Sequence, residues 1–292
     1  MIAAKPVKRH GPGRRAAFIC YRIAAYSFLI LLSFLCLFFF YILIINATRA
    51  HSEIQTGFSF LPGKSFMRNW RSLMDNDQLP MWSGILNSLF ISGANALLST
   101  YFSALTAYAI HAYEFKFKRV IFKFILLIMA VPTQVATLGF LRILGGWGWM
   151  DTYYPLILPA VASPVVFFFM KQYMDSVLPL EIVEAARIDG SGEYFTFNTI
   201  IVPIMKPAIA VQAIFTFVTA WNNYFLPALV IKTASKKTLP ILIAQLRSAD
   251  WLKFDMGQVY MAIALAIVPI IIVYLCLSKF IVRGVTLGSV KG

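Results

Sequence analysis

Six long stretches of this 292-residue chain contain no Asp, Glu, Lys or Arg, and they restrict its fold more than any other feature. The uncharged runs hold between 18 and 36 residues each. A transmembrane helix needs about 20 predominantly apolar residues. The sequence therefore predicts an all-α polytopic membrane protein with six transmembrane helices, at about 22–46, 83–110, 119–141, 153–174, 205–231 and 257–281.

Composition agrees with this prediction, because charged residues make up only 13% of the chain and hydrophobic residues 60%. A soluble domain has roughly one quarter charged residues. The first apolar run follows a basic segment, but it is far longer than the roughly 7–15 apolar residues of a signal peptide, so we expect a retained helix. Cys20, Cys36 and Cys276 lie in or beside apolar runs, which favours small, buried hydrophobic side chains over metal ligands.

The distribution of Lys and Arg predicts that both chain ends lie in the cytoplasm, since 16 of these residues then fall inside and 10 outside. This topology gives a basic cytoplasmic segment (1–21), a transmembrane domain (22–281) and a cytoplasmic tail (282–292). External loops follow at about 48–81 and 232–255, with a cytoplasmic loop at about 175–203. The net charge of +14 is then explained by membrane topology and not by binding to nucleic acid.

No recognisable catalytic or nucleotide-binding motif occurs in the sequence. The stretch GFSFLPGKS at 57–65 has five residues between its glycines, where a phosphate-binding P-loop has four. No ionisable residue lies at the centre of a predicted span, which argues against a proton-coupled secondary transporter, although an ATP-independent transporter remains the alternative. We therefore expect that this chain is not an enzyme and that its energy comes from elsewhere.

Two predicted helices carry a stripe of polar residues on one face. The second has Ser and Thr residues together with Asn95, at spacings of three and four, and the fifth has Gln212, Thr216, Thr219 and Asn223, with Asn222 adjacent. Small hydroxylated residues are common at helix contacts within membranes. Amide side chains supply both donors and acceptors suited to sugar hydroxyls. Helix packing and the wall of a polar pathway are both open interpretations of these stripes.

The segment EAARIDG at 184–190 lies where the chain concentrates its few acidic residues. Its pattern predicts a short amphipathic helix that starts after Pro179 and stops near Gly190, then a second short helix that ends before Pro203. Helices that lie on lipid are rich in Lys and Arg. An acidic helix pair in the cytoplasm therefore favours a protein partner.

This segment resembles the signature loop of importer permeases of the ATP-binding cassette class, which has Glu-Ala-Ala, three residues, Gly, nine residues and then Ile-x-Leu-Pro. Glu184-Ala185-Ala186, Gly190, Ile200 and Pro203 match that spacing, with Val202 in place of the usual leucine. The stretches NSLFISGANALLSTYFSALTAYAI, TAWNNYFLPALV and RGVTLGSVKG resemble the carbohydrate branch of the family, the maltose-type permeases. The resemblance covers residues from about 20 to 292.

The resemblance implies a subunit of the prokaryotic inner membrane that imports a carbohydrate. The loop would be a coupling helix that docks on a cytoplasmic ATPase subunit through Glu184, Ala185, Ala186, Arg187, Asp189 and Gly190. The implied partners are a second related permease, two ATPase subunits that use ATP and Mg, an extracytoplasmic solute-binding protein and membrane lipid; this chain itself would hold no cofactor.

The resemblance leaves the cargo open among oligosaccharides, polyols and glycerol phosphate. The excess of basic over acidic residues in the external loops slightly favours an acidic sugar such as a uronate oligomer.

Overall fold

The computed structural model of the protein describes residues 12–76, 78–248 and 254–288, and its side chains from 18 to 280 within those ranges. Several predicted segments lie partly outside the described residues. They are the basic N-terminal segment, the external loop at 232–255 and the C-terminal tail, including the Gly-x-Val-Lys-Gly sequence beyond Gly288.

The described chain is helical throughout and has no strand within those ranges. The α-helices are α1 (Pro12–Ala47), α2 (His51–Gln55), α3 (Phe66–Met74), α4 (Met81–Ala112), α5 (Lys118–Ile128), α6 (Thr133–Trp147), α7 (Tyr154–Ile157), α8 (Pro164–Val177), α9 (Leu180–Ile188), α10 (Glu193–Thr196), α11 (Val202–Trp221), α12 (Phe225–Val230), α13 (Leu239–Arg247) and α14 (Met256–Gly288). Short 3-10 turns lie at Leu158–Val161 and Ala234–Lys236, and a π-helical turn at Phe197–Ile201 joins α10 to α11.

Five helical segments are long and apolar enough to cross a membrane: Phe18–Ala47, Met81–Ala112, Tyr154–Val177, Glu193–Trp221 and Met256–Phe280. A sixth candidate is the pair α5 and α6, which passes the same test only when its two helices are taken together. The prediction of an all-α protein with several membrane spans is therefore confirmed for the described residues, and the number of spans is five or six.

The third predicted helix, at 119–141, is not one continuous helix in the structure. The structure divides it into α5 and α6, whose axes differ by 97°. Pro132 lies at the break and precedes the first residue of α6. Proline lacks an N–H group and disfavours helical geometry at the residue before it, so the helix cannot continue through this position.

The fourth predicted helix, at 153–174, is also interrupted. Ser163 has an extended backbone (ψ 99°) immediately before Pro164, the first residue of α8. The same effect of proline on the preceding residue explains this break. Irregular backbone within a span is tolerated where it faces protein or a water-filled cavity.

The second short helix of the acidic segment does not end before Pro203, as the sequence predicted. It continues from Glu193 through the π-helical turn into α11, so that one helical segment runs from Glu193 to Trp221. A π-helical turn replaces the usual hydrogen-bond pattern locally, which accommodates the missing N–H of Pro203. The predicted fifth span at 205–231 accordingly begins earlier, ends at Trp221, and is followed by the separate α12.

Helices α4 and α11 form the centre of the molecule, with α8 and α14 packed beside them. The serines of the α4 stripe are almost inaccessible: Ser88, Ser92, Ser99 and Ser103 are each no more than 2% exposed. Small side chains permit close approach of helices in membranes. Packing therefore explains most of the α4 stripe.

The outer faces of α1, α5 and α6 are apolar and exposed. Cys20, Cys36 and Cys276 are exposed on α1 and α14, so the expectation of buried cysteines is wrong. Apolar faces of this extent are typical of surfaces that contact lipid or another membrane subunit.

Candidate functional site

The helical segment Glu193–Trp221 joins two regions of the molecule that carry the predicted functional residues. Its first turn adjoins the acidic loop, and its last three turns carry the polar stripe that starts at Gln212. An α-helix rises about 1.5 Å per residue, so the 19 steps from Glu193 to Gln212 span roughly 28 Å. The two regions are therefore distant in space but lie on one continuous element.

A cavity of about 360 Å³ lies between α4, the start of α8 and the last turns of α11. Five of the six residues predicted for a substrate pathway line it: Asn95, Gln212, Thr216, Thr219 and Asn223. The spacing of three and four residues predicted that Gln212, Thr216, Thr219 and Asn223 share one face of a helix. In the structure that face lines the cavity.

Four of these side chains make no hydrogen bond to another described residue: Gln212, Thr216, Thr219 and Asn223. Gln212 is only 8% exposed and faces the cavity, whereas Thr219 and Asn223 are exposed at its wall. Because these donors and acceptors face the cavity and not other residues, they are available to a polar ligand.

The other two predicted residues differ from this pattern. Asn95 lines the cavity, but its amide nitrogen donates to the carbonyl oxygens of Ile91 (2.8 Å) and Leu156 (2.8 Å), so it also holds α7 against α4. Asn222 does not line this cavity. It follows the last residue of α11 and lines a separate groove beside α13 and α14, so its role in the pathway stays a prediction.

Ser88, from the polar stripe of the second predicted helix, also lines the cavity. The sequence did not identify the remaining members of the wall, which are the polar residues Ser163 and Thr238 and the apolar residues Ile91, Leu156, Val165, Val166, Phe215, Ala220, Leu226 and Pro227. Ser163 and Thr238 lie in loops next to breaks in the helices, where no periodic pattern exists. The proline after Ser163 was the only available signal for that position.

A second polar cluster closes the loops near the Asn223 end of the cavity. The Asp151 carboxylate accepts hydrogen bonds from the backbone N–H groups of Lys232 (2.9 Å) and Thr233 (3.0 Å) and from the Thr233 hydroxyl (2.6 Å). The hydroxyl and backbone donors of Thr233 hold the pKa of this carboxyl well below its usual range. The Lys236 Nζ lies 3.3 Å from Asp151 Oδ2. This basic loop is therefore tied to the segment that follows α6.

At the opposite end of the segment, α9 and α10 form a bent loop around Gly190. Gly190 has a φ of +76°, a backbone conformation that residues with a side chain rarely adopt. The backbone N–H of Gly190 donates to Arg187, and that of Ser191 to Ala186, which closes the end of α9. The predicted turn at Gly190 is confirmed.

Most of the predicted coupling residues are exposed on α9 or at its end, and one of them is buried. Glu184, Ala185, Arg187 and Asp189 are exposed. Ala186, in contrast, is 6% exposed and faces the interior of this chain. The packing of Ala186 against a partner therefore stays a prediction that its burial does not favour, whereas Ala185 offers a small exposed side chain.

Arg187 is held by contacts within the chain. Its Nε donates to Glu193 Oε1 at 2.8 Å, and the other carboxylate oxygen of Glu193 accepts the hydroxyl of Tyr108 at 2.9 Å. The Arg187 guanidinium also lies over the ring of Tyr113, 5.0 Å from its centroid. These contacts, here called the loop brace, connect α9 and α10 to the end of α4.

A neighbouring group of contacts connects the end of α4 to the end of α8. His111 Nδ1 lies 2.8 Å from Asp175 Oδ1, and its Nε2 lies 3.0 Å from the Leu178 carbonyl oxygen. Lys171 Nζ also donates to the Asp175 carboxylate. Both ring nitrogens of His111 face acceptor oxygens, so both donate only when the imidazole is protonated. Sequence patterns gave no signal for the His111 contacts, whose partners lie 64 and 67 residues away along the chain.

Comparison with known proteins shows similarity to transport permeases over most of the chain. The profile of the family described as "Binding-protein-dependent transport system inner membrane component" matches residues 99–287, which include the acidic loop and all the cavity-lining residues except Ser88, Ile91 and Asn95. An arabinooligosaccharide transport system permease of Bacillus subtilis is 33% identical over 290 residues, covering 97% of this chain and 99% of that protein. An sn-glycerol-3-phosphate transport system permease of Yersinia pestis is 30% identical over 86% of this chain and 90% of its own length. A lactose transport system permease of Rhizobium radiobacter is 29% identical over 92% of this chain and 96% of its own length.

A solved structure shares the fold. A chain of a bacterial ABC transporter involved in the import of the acidic polysaccharide alginate superimposes with a TM-score of 0.77. The match covers 94% of this chain and 99% of that chain at 19% sequence identity. At this identity the likeness concerns the arrangement of the helices and not the cargo.

Proposed function

This chain belongs to the family of binding-protein-dependent transport system inner membrane components, and on that premise we propose that it is the permease subunit of an ATP-driven carbohydrate importer. The observation that carries the proposal is the helical segment Glu193–Trp221. One of its ends adjoins an exposed acidic loop, and the other supplies unpaired polar side chains to a cavity.

In this proposal the chain crosses the inner membrane six times, with α5 and α6 together forming one bent span. Both chain ends and the loop around Gly190 lie in the cytoplasm, as the distribution of Lys and Arg indicates. The cavity then lies nearer the outer surface. This orientation directs the acidic loop toward cytoplasmic proteins and the Asp151 cluster toward the solute-binding protein.

The loop acts as the contact with a cytoplasmic ATPase subunit. Glu184 and Asp189 are exposed and have no ion-pair partner among the described residues, so they are available to basic residues of another protein. The loop brace fixes the loop to α4 and α11. A displacement of the loop by the ATPase is therefore transmitted to the helices that form the cavity.

Carbohydrate is the proposed cargo. Members of this family named for arabinooligosaccharide and lactose transport align with nearly the whole chain. The cavity offers amide and hydroxyl groups beside apolar side chains, and sugars present both hydroxyls and apolar C–H faces. Sites for small molecules typically combine a mainly apolar wall with a few oriented polar groups.

The importer is tested by purification and uptake. We expect the tagged chain, expressed with its neighbouring transport genes, to co-purify with an ATPase subunit and a second permease. Radiolabelled oligosaccharide should enter right-side-out vesicles only when ATP is present in their interior and the solute-binding protein is supplied outside. Uptake that continues without ATP hydrolysis, or in the absence of any bound ATPase, would contradict the proposal in favour of a secondary transporter.

A further inference from the structure

The residue types that line the cavity of Gln212, Thr216, Thr219 and Asn223 indicate which charge its cargo carries. This inference rests on the proposed function. We infer that this cavity accepts a neutral carbohydrate and excludes acidic sugars and sugar or polyol phosphates. The relatives do not decide this point, since their names include both neutral and anionic cargoes.

The first argument is the absence of charge. Among the described residues that line the cavity there is no Asp, Glu, Lys, Arg or His. The polar members are serine, threonine, asparagine and glutamine. Each of them can bind a hydroxyl group, but none supplies the full positive charge that a buried carboxylate or phosphate needs.

The second argument concerns two basic residues of the external segments. The external-loop cation Lys236 is paired with Asp151, and its Nζ also donates to the Asp151 carbonyl oxygen at 2.7 Å. Arg49, another cation of an external segment, is 7% exposed and donates to Asn46 and to the carbonyl oxygens of Glu53 and Gly57. These two cations serve the fold, which weakens the expectation that basic external loops select an acidic sugar.

One feature does favour negative charge, namely the start of α8 at the cavity wall. The backbone N–H groups of Val165 and Val166 lie in the first turn of that helix, and Pro164 contributes none. A helix N-terminus carries roughly half a positive charge. This is too little to neutralise a uronate oligomer or a phosphate, while the same N–H groups can bind a sugar hydroxyl.

The apolar part of the wall supports the same conclusion. Phe215 lines the cavity and is 64% exposed, beside Leu226 and Pro227. An aromatic face and aliphatic side chains suit the C–H surface of a neutral sugar ring and offer nothing to a carboxylate. The wall therefore combines hydrogen bonding with apolar contact and does not use ion pairing.

The test compares opposite charges introduced at one position of the complete importer. Thr216→Lys and Thr216→Glu are expressed with all partner subunits, and uptake is measured with arabinotriose, lactose, mannuronate trisaccharide and sn-glycerol 3-phosphate. For a neutral cargo, each substitution lowers uptake by a similar factor, about tenfold or more, because either charge loses water in the cavity. Gln55→Lys and Gln55→Glu, on the exposed surface of α2, form the matched pair and leave uptake within about twofold.

The outcomes separate the two levels of the proposal. Wild-type uptake of a neutral probe but not of the mannuronate or phosphate probe, with equal losses in the two Thr216 variants, supports the inference. Wild-type uptake of the mannuronate or phosphate probe overturns it while leaving the importer intact, and survival of that uptake in Thr216→Lys with loss in Thr216→Glu would place the anion in this cavity. Failure of the assembled wild-type complex to take up any carbohydrate with ATP overturns the proposed function itself. Co-purification of the ATPase with each variant shows that the chain has folded.

Discussion

The cavity and the acidic loop use polar residues in opposite ways, although one helical segment connects them. In the cavity, Gln212 and Asn223 have no side-chain hydrogen bond among the described residues and are available to a ligand. At the loop, Arg187 and Glu193 bind each other and hold the backbone in place. The comparison indicates that the binding region keeps its hydrogen-bonding capacity free, whereas the coupling region uses it to remain rigid.

The largest expected effect tests whether the loop depends on its backbone conformation. Gly190→Pro should lower uptake by about a hundredfold or more, because proline fixes φ near −65° and Gly190 has a φ of +76°. The substitution also removes the N–H that donates to Arg187 at 3.0 Å. Transport and the amount of membrane-inserted protein are measured in the same cells.

The matched control for this prediction is Gly192→Pro. Gly192 has a φ of −68°, which suits proline, and its N–H has no acceptor among the described residues. We expect this variant to retain most of its uptake. Equal losses in the two variants would mean that the loop tolerates no proline at all, and the argument from φ would fail.

The second prediction weakens the loop brace without touching the exposed surface of α9. Glu193→Ala should lower uptake about tenfold, since a hydrogen bond to a charged group contributes about 1.5–3 kcal/mol and Glu193 accepts from both Arg187 and Tyr108. ATP hydrolysis by the complex should continue, so that the ratio of hydrolysis to transport rises.

Conservative replacement distinguishes positioning from simple loss of stability. Glu193→Gln keeps one acceptor oxygen and should recover part of the coupling, whereas Glu181→Ala, at an exposed position of α9, should behave as wild type. A Glu193→Ala variant with an unchanged ratio of hydrolysis to transport would show that the brace has no part in coupling.

The third prediction concerns the cavity and should have a smaller effect. Gln212→Ala and Asn223→Ala each remove one ligand contact, which costs about 1 kcal/mol, so uptake at low substrate concentration should fall about fivefold. Basal ATP hydrolysis should not change. Asn222→Ala is the matched control, because its side chain lies in the other groove. A larger loss of uptake in Asn222→Ala than in Asn223→Ala would contradict the prediction, because the pathway would then follow the groove beside α13 and α14.

Sequence patterns predicted the parts of these regions that repeat along one helix. The spacing from Gln212 to Asn223 placed four residues on one face, and the motif from Glu184 to Gly190 located the loop. Periodicity did not show that Asn222 lines a different groove from Asn223, because it does not show where a helix ends. The loop brace was not predicted, since Tyr108 and Glu193 are 85 residues apart and meet only when α4 packs beside α11.

Prolines limited the prediction of the fold for a related reason. Pro132 and Pro164 each lie at a break, whereas Pro203 and Pro207 lie within the continuous segment Glu193–Trp221. The residue type is the same, but the outcome depends on whether the neighbouring turn can accommodate the missing N–H. The π-helical turn before Val202 does so, and the sequence carried no signal for it.

The smallest expected effect tests the Asp151 cluster, which fixes the loops near the cavity but belongs to neither functional region. Asp151 has a φ of +58°, which asparagine tolerates well, so Asp151→Asn removes the charge with little backbone strain. The pKa of this carboxyl is lowered in the folded protein, so its stabilising effect is present above the unfolded-state pKa of about 3.9 and is lost as the pH falls through the folded-state value. The variant should therefore show a lower Tm than wild type at pH 7 and above, and the difference in Tm should narrow below about pH 4. Uptake at neutral pH should stay unchanged within about twofold.

Asp75→Asn serves as the control, because Asp75 is an exposed carboxylate with no side-chain hydrogen bond among the described residues. A Tm difference that persists undiminished in acid would mean that the shape of the side chain, and not its charge, holds these loops together.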